Sequence, residues 1–271
     1  MKKVLIFLTL IPTIFFAQED TRYLYYDYEF QEGSTQLLYG NNVVLRSRDD
    51  SNSKALDTLR IGDPVEILKK SETRMHLNGK LWNWYKVKAG KKIGYVLGGL
   101  IALDHQEVNG KNYLIIKTTR DDKDFARIRV MSKDKSYYGH EIELSTSVIS
   151  LNVSDGKGLK NVEDMCVISM HAEACGVVGG EVYLFNNGDQ LKEVFRTEHV
   201  SDAGVFWFEE NLEFKDKDYW ESNVVFYSRE QGEYMDESLD WTKAVVNEVK
   251  LTWDGVKFSP DVSKLDFDIS K

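Results

Sequence analysis

Two tryptophans and two lysines alternate along one short segment and form the strongest candidate binding surface in the sequence. In 81–88, Trp82, Trp84, Lys86 and Lys88 occupy every second position, so in a β-strand they would share one face. An indole can stack on a sugar ring or a planar peptide group, while a neighbouring ammonium attracts a carboxylate or phosphate. This spacing therefore predicts a surface that binds an anionic or sugar-containing ligand.

The other face of the same segment has the character of a hydrophobic core. Tyr85 and Val87 lie on it, so we expect both indoles on the opposite face to be exposed to solvent. Tyr95 would extend the binding surface. The alternative interpretation is that Trp82 and Trp84 are packing residues, covered by a neighbouring part of the chain.

The two cysteines, Cys166 and Cys175, allow three interpretations. Their closeness in a chain with an export signal favours a disulfide, which would contribute about 2.5–3 kcal/mol by closing a short loop. They could instead be inert free thiols. The third interpretation is a nucleophilic Cys175 with His171 or His199 as its base.

Other catalytic and metal-binding patterns are missing from the sequence. No Ser lies in a Gly-x-Ser-x-Gly motif, and clustered acids such as Asp121, Asp122 and Asp124, or Asp155 beside Gly156, lack the order of a calcium loop. We therefore expect no catalytic residue, no metal and no cofactor. The histidines also lack a paired metal-ligand spacing; they are His76, His105, His140, His171 and His199.

The amino terminus has the pattern of an export signal. Lys2 and Lys3 precede an apolar run over 4–16, and the small residue Ala17 ends it. A membrane anchor is the alternative, but the run is shorter than the roughly 20 residues that a spanning helix needs. We predict a signal peptide at 1–17 and a periplasmic or secreted protein without a stable membrane span after cleavage.

Charge divides the rest of the chain into a basic and an acidic part. The formal net charge is −9, yet lysine and arginine outnumber acidic residues over 39–104, whereas acids dominate 105–271. Such asymmetry favours an anionic partner, or else mutual attraction between the two parts. Nucleic acid is disfavoured as a partner, because the acidic chain as a whole would repel a phosphate backbone.

The segment 18–38 is a tyrosine-rich arm. Its aromatic side chains favour packing on a domain or addition of an edge strand, with a mobile linker as the alternative. From 39 onward the pattern changes to short strands and turns, including Asn78-Gly79, a strong signal for a tight hairpin turn. The polar stretch 69–80 that ends in this turn is predicted to be a loop.

The stretch 39–104 resembles the bacterial SH3-type domain of many exported cell-envelope proteins. This resemblance implies a small β-barrel that is noncatalytic and commonly tethers proteins to peptidoglycan or to other envelope ligands. It assigns no fixed functional residues. The matching segments, in chain order, are Val44-Leu45-Arg46-Ser47, Leu59 with Gly62-Asp63, Trp84-Tyr85-Lys86-Val87 and Gly94-Tyr95-Val96.

The region 105–271 is predicted to be a larger antiparallel β domain, either a sandwich or a partial propeller-like sheet stack. In the last strand Val245, Val249 and Trp253 share one face, and Asp254-Gly255 then turns the chain into a hairpin. The predicted strands are 113–116, 148–153, 166–170, 182–185, 205–208, 224–227 and 245–253.

The sequence therefore predicts a mainly β, exported, noncatalytic cell-envelope protein with an SH3-like binding module. Its candidate partners are peptidoglycan or an envelope protein. A cell-wall hydrolase that uses Cys175 is one alternative, and a protein-binding scaffold or inhibitor is another.

Overall fold

The computed structural model describes residues 21–25, 27–203, 205–214, 222–236 and 241–267. The predicted signal peptide at 1–17 lies outside these ranges. Within them, no helix is both long enough and apolar enough to cross a membrane.

The described residues fold almost entirely as antiparallel strands. In the barrel region these are β1 Thr35–Leu37, β2 Val43–Arg46, β3 Ala55–Leu59, β4 Pro64–Leu77, β5 Lys80–Ala89 and β6 Lys92–Leu97. They are followed by β7 Asp104–Val108, β8 Lys111–Arg120, β9 Lys123–Met131, β10 Tyr137–Glu143, β11 Val148–Asp155 and β12 Asp164–His171. The last are β13 Gly179–Asn186, β14 Leu191–Asp202, β15 Phe206–Glu213, β16 Val224–Asp236, β17 Trp241–Trp253 and β18 Phe258–Ser259.

The first six strands form one sheet in the order β1-β4-β5-β6-β2-β3. The predicted turn at Asn78-Gly79 is confirmed, with φ of 52° and 76° at its two residues and Leu77 directly opposite Lys80. The predicted loop at 69–80 is wrong, because β4 continues as a strand through Leu77. The hairpin β4–β5 is therefore much longer than the sequence suggested.

The remaining strands form two further antiparallel sheets, one with β7–β10 and one with β11–β18. The two sheets enclose apolar residues such as Ile115, Ile128 and Ile168. At one edge the Gln106 side chain joins β7 to β11, donating to the Leu151 carbonyl at 2.8 Å and accepting from Val153 N–H at 2.7 Å. The fold class predicted from the sequence, a small barrel followed by a larger antiparallel β domain, is confirmed.

The larger sheet also buries its other face. Tyr183 and Phe185 of β13 pack there with Tyr227 and Trp253 from the later strands, forming a second core. The predicted alternation in β17 is confirmed: Leu251 and Trp253 are buried, whereas the intervening residues Val246, Glu248 and Lys250 are exposed. Alternate residues of β12 and β13 therefore belong to different cores, with Ile168 and Val182 in the first and Val167 and Tyr183 in the second.

A buried polar network joins the two sheets of the larger region. Asp164 of β12 is fully buried and accepts hydrogen bonds from Tyr113 Oη at 2.7 Å, Asn186 Nδ2 at 2.9 Å and Asn109 Nδ2 at 2.6 Å. Lys111 supplies the counter-charge at 3.1 Å. Each of these side chains has a hydrogen-bond or ion-pair partner, which offsets the cost of removing the polar groups from water. The network can therefore fix the register of the sheets.

The tyrosine-rich arm runs across both regions. Leu24 is fully buried and exchanges two backbone hydrogen bonds with Ile149 of β11, at 2.7 and 3.2 Å. Phe30 is also buried and packs edge-to-face on Tyr85 of β5, with ring centroids 5.1 Å apart. The arm thus contacts the barrel and the larger sheet in turn.

Candidate functional site

The predicted exposure of the two indoles is wrong. Trp82 is 6% exposed and Trp84 is 5% exposed. Lys86 and Lys88, which share their face of β5, are exposed as predicted. The structure agrees with the alternative interpretation, in which both tryptophans are packing residues.

The length of β5 explains this difference. Over 85–89 the odd-numbered residues face the barrel core, but over 80–84 the even-numbered residues are the buried ones. The distal half of the strand extends past the barrel and is covered by other segments: the Trp82 ring lies directly against the backbone of Gly99, and Lys80 Nζ lies 5.0 Å from its centroid. Alternation shows which residues share a face, but not which face is covered along a long strand.

A row of polar side chains crosses the barrel sheet at its exposed face. Lys69 of β4 lies directly opposite Lys86 of β5, which lies opposite Tyr95 of β6, which in turn lies opposite Arg46 of β2. Directly opposite residues in an antiparallel sheet project to the same side. Four strands thus bring three cationic side chains and a phenol into one line.

A surface groove of about 400 Å³ lies over this row. We call it the basic groove; it is lined by Asp49, Lys69, Lys70, Ser71, Glu72, Thr73, Lys86 and Tyr95. A bulge in β4 shapes one wall, because the register jumps between Lys70 and Arg74. The loop between β2 and β3 supplies the other.

Asp49 connects the two walls of the groove by hydrogen bonds. Its Oδ2 accepts hydrogen bonds from the hydroxyls of Ser71 and Thr73, the latter at 2.7 Å. These bonds lower the pKa of Asp49, with Ser71 the larger cause, so the carboxylate stays ionised and the bulge stays attached to the loop. From the other side Asn83 Nδ2 donates to the Ser71 carbonyl at 2.8 Å. The groove is therefore held in shape by the chain's own polar groups.

Like charges directly across a sheet are unfavourable, and the groove contains such a pair. Lys69 and Lys86 face each other, and both are exposed. Two other lysines nearby have acidic partners: Lys70 pairs with Glu29 at 2.5 Å, and Lys88 pairs with Glu66 at 3.1 Å. The Lys69–Lys86 pair would be relieved by an anionic group bound between the two ammonium groups.

Residues 41–102 match the family model described as bacterial SH3 domain. This part of the chain is a bacterial SH3 domain. The match begins just before β2 and stops before β7, so it covers the strands that build the basic groove but not the larger β region. No curated protein and no solved structure matched the chain.

The basic groove contains two of the five ligand-binding residues predicted from the sequence, Lys86 and Tyr95. Lys88 lies on the same face of β5 as Lys86 but outside the groove lining. Sequence reasoning misses the residues of β4, because the polar character of 69–80 predicts a loop there. Strand pairing across Asn78-Gly79 was the signal that could have placed Lys69 near Lys86.

The predicted disulfide is also wrong, since Cys166 and Cys175 are both free. Cys166 is fully buried in β12, and burial raises the pKa of its thiol. The strand continues to His171, about 16 Å further along at the usual rise per residue. Cys175 lies in the loop beyond, whereas a disulfide needs Cα atoms about 4.4–6.8 Å apart.

The residues of the alternative cysteine site lie toward one end of the larger sheet. Cys175 is exposed, and its neighbour Gly176 donates to the Ser201 carbonyl at 2.8 Å, two residues beyond His199. His171 Nε2 is 2.9 Å from the Ser150 hydroxyl. Burial, followed by the nearby His199, lowers the pKa of His171, so its imidazole is neutral near pH 7.

Acidic clusters singled out in the sequence have local structural roles. Asp124 accepts from the Thr119 hydroxyl at 2.7 Å, and Asp155 accepts from Lys157 N–H at 3.1 Å. Among the residues that the structure describes, no three His, Cys, Asp or Glu side chains converge as a set of metal ligands.

Proposed function

We propose that this protein is an exported, noncatalytic cell-envelope protein whose bacterial SH3 domain binds an anionic peptide of the cell wall in the basic groove. The observation that carries the proposal is the Lys69–Lys86 pair, directly opposed across two strands and exposed at the floor of the groove. The larger β region supplies structural support or a second binding surface.

The charge and shape of the groove support a peptide carboxylate as the bound group. Lys69 and Lys86 can both donate to one carboxylate, and such charge-assisted hydrogen bonds are among the stronger ones at protein surfaces. The half-buried Tyr95 beside them offers an aromatic face to an adjacent peptide group or aliphatic side chain. Peptidoglycan peptides carry carboxylates along a short chain, and each carboxylate is an anion that the two ammonium groups could bind.

Sedimentation with purified peptidoglycan tests the proposal. The double variant Lys69→Glu with Lys86→Glu reverses both charges at exposed positions, so we expect it to fold normally. We expect its bound fraction to fall at least about tenfold relative to the wild-type protein, because two attractive contacts become repulsive. Binding of the wild-type protein should also weaken as salt is added.

The matched control is Lys91→Glu with Arg60→Glu, which makes the same change in net charge at exposed positions outside the groove lining. We expect it to sediment like the wild-type protein. An equal loss of sedimentation in both double variants would show that the overall charge of the protein, and not the groove, governs binding. Retained sedimentation in the groove variant would contradict the proposal.

The cell-wall hydrolase remains the second candidate, because Cys175 is an exposed free thiol. In this mechanism the Cys175 thiolate would attack a peptide carbonyl and form a thioester, while His171 or His199 would pass the thiol proton to the departing amine. Water would then hydrolyse the thioester and release the thiol. Peptidoglycan digestion by the wild-type protein that disappears in Cys175→Ser, but not in Cys166→Ser, would establish it. Absence of digestion products with the wild-type protein would favour the noncatalytic function.

A further inference from the structure

A second pocket lies at the end of the larger sheet, outside the bacterial SH3 domain. Three connections converge there: the loop 156–163 after β11, the turn 187–190 between β13 and β14, and the turn 254–257 between β17 and β18. The pocket has a volume of about 600 Å³, which lies in the range of small-ligand sites.

Aromatic and aliphatic side chains form the floor and one wall of this pocket. Phe185 and Trp253 meet edge-to-face, with ring centroids 5.0 Å apart. Trp253 Nε1 donates to the Lys160 carbonyl at 2.8 Å, which satisfies the polar atom of the indole. Both rings line the pocket, and each is 4% exposed. Val194 lines the wall, and Val256 stands at the rim with 64% exposure.

Side-chain amides occupy the rest of the rim. Asn161, Asn187 and Gln190 all line the pocket, and each amide can both donate and accept. The Asn187 oxygen accepts from Asp189 N–H at 3.1 Å and from Gln190 N–H at 3.0 Å. These two hydrogen bonds from the backbone fix the orientation of the amide, and its NH₂ group remains as a donor for a ligand.

The lining carries little net charge. Its charged side chains are Glu163 and Lys192, which are of opposite sign, and Glu163 is also paired with Lys111 at 2.5 Å. An anion would therefore find one ammonium group in the lining, that of Lys192, and no second cation beside it. The three amides outnumber these charges, so the lining favours a neutral ligand with many hydroxyl groups.

The pocket is preformed by backbone contacts between its walls. Asn223 accepts from Lys160 N–H through its side chain at 2.6 Å, and its carbonyl accepts from Trp253 N–H at 2.8 Å. These bonds tie the loop 156–163 to the end of β17. A ligand would not have to order these segments, which lowers the entropic cost of binding.

We infer that this pocket binds a neutral saccharide. The C–H face of a sugar ring would pack on Val194, Val256 and the aromatic edges, while the hydroxyls would exchange hydrogen bonds with the amides of Asn161, Asn187 and Gln190. The inference does not rest on the peptide-binding function of the basic groove, because no residue is shared between the two sites.

Titration calorimetry with the full chain tests it, using the N-acetylglucosamine trimer and maltotriose as neutral probes. We expect saturable binding of at least one probe with a Kd of about 1 mM or tighter. Val256→Lys places a charge at the exposed rim and should weaken that binding at least about tenfold. Gln190→Ala should weaken it in the same direction by removing one amide.

The control is Val246→Lys, a matched change at an exposed valine of β17 outside the pocket lining. It should bind the probe like the wild-type protein, as should the double variant Lys69→Glu with Lys86→Glu. The inference is overturned if neither probe binds, or if Val256→Lys binds as well as the wild-type protein. Loss of binding in the Lys69/Lys86 variant alone would assign the sugar to the basic groove and also overturn it.

Discussion

Lys117 is a buried lysine at the point where the arm, β8 and the strand β11 meet. Its side chain is only 4% exposed, and Nζ donates to the Leu24 carbonyl at 2.5 Å and to the carbonyl of Ser147. Burial, followed by the neighbouring Lys80, lowers its pKa to about 7 against the opposing effect of Asp124, Glu173 and Asp27. The folded protein therefore holds this proton more weakly than the unfolded chain.

This difference predicts a pH dependence of stability. Between about pH 7 and the ordinary lysine pKa of 10.5, the unfolded chain binds the proton and the folded protein does not. The free energy of unfolding should therefore rise with pH in this window, by up to about 1.4 kcal/mol per pH unit. Urea unfolding from about pH 7 to 9 should show the rise in the wild-type protein and a smaller one in Lys117→Met.

Lys123→Met is the control for this series, because Lys123 is mostly exposed and pairs with Glu143 at the surface. It should keep the slope of the wild-type protein. An unchanged slope in Lys117→Met would mean that Lys117 is charged in the folded state at pH 9, contrary to the environment described.

Asp164 offers a second test at the residue scale. Removing this fully buried carboxylate leaves Lys111 and the hydroxyl of Tyr113 without their shared acceptor. Asp164→Ala should lower the free energy of unfolding by about 3–5 kcal/mol. Asp134→Ala, at an exposed turn, should change it by less than about 1 kcal/mol. Similar values for the two variants would rule out a stabilising network.

Among the elements, the hairpin β4–β5 is the one whose length matters most. Its tip reaches the end of β8, where Thr119 N–H donates to the Asn78 carbonyl at 3.1 Å. That contact docks the hairpin tip on β8, and in the distal half of the hairpin Lys80, Trp82 and Trp84 of β5 are buried. The proximal half carries the basic groove, so one hairpin serves both packing and binding.

A pair of glycines tests the docking of this hairpin. At Gly79 a Cβ would lie 1.8 Å from the Thr119 carbonyl oxygen, whereas at Gly90 nothing lies within 4 Å; φ is positive at both. Gly90→Ala should cost about 1–2 kcal/mol in backbone strain alone. Gly79→Ala should lower the free energy of unfolding, measured with urea, by clearly more than Gly90→Ala does, because the hairpin tip must also move away from β8. Equal costs would mean that the tip does not dock in solution.

The sequence predicted individual strands and turns better than it predicted which of their faces are buried by other segments. Asn78-Gly79 and the alternation of β17 are determined by local chemistry, and both were predicted correctly. The burial of Trp82 was not, because it depends on Gly99, a residue remote in sequence. The strands β7, β9, β10 and β14 are missing from the prediction because many of their residues are charged and their apolar runs are short.

For the whole molecule, continuity of the core is the main structural result. One cluster of buried side chains includes Leu24 and Phe30 of the arm, Val87 of the bacterial SH3 domain, and Ile128 and Ile168 of the larger region. Such contacts depend on how sheets pack, which alternation along single strands does not encode. The position of the basic groove, opposite this shared core, likewise became visible only when β4, β5 and β6 were placed side by side.

The most direct test of the central claim is amide chemical-shift mapping of the full-length protein during titration with a soluble peptidoglycan peptide. We predict saturable shifts centred on Lys69, Lys86 and Tyr95 and extending to Ser71 and Thr73. Saturable shifts confined to residues outside the groove, or no shifts under conditions in which intact peptidoglycan binds, would contradict the account.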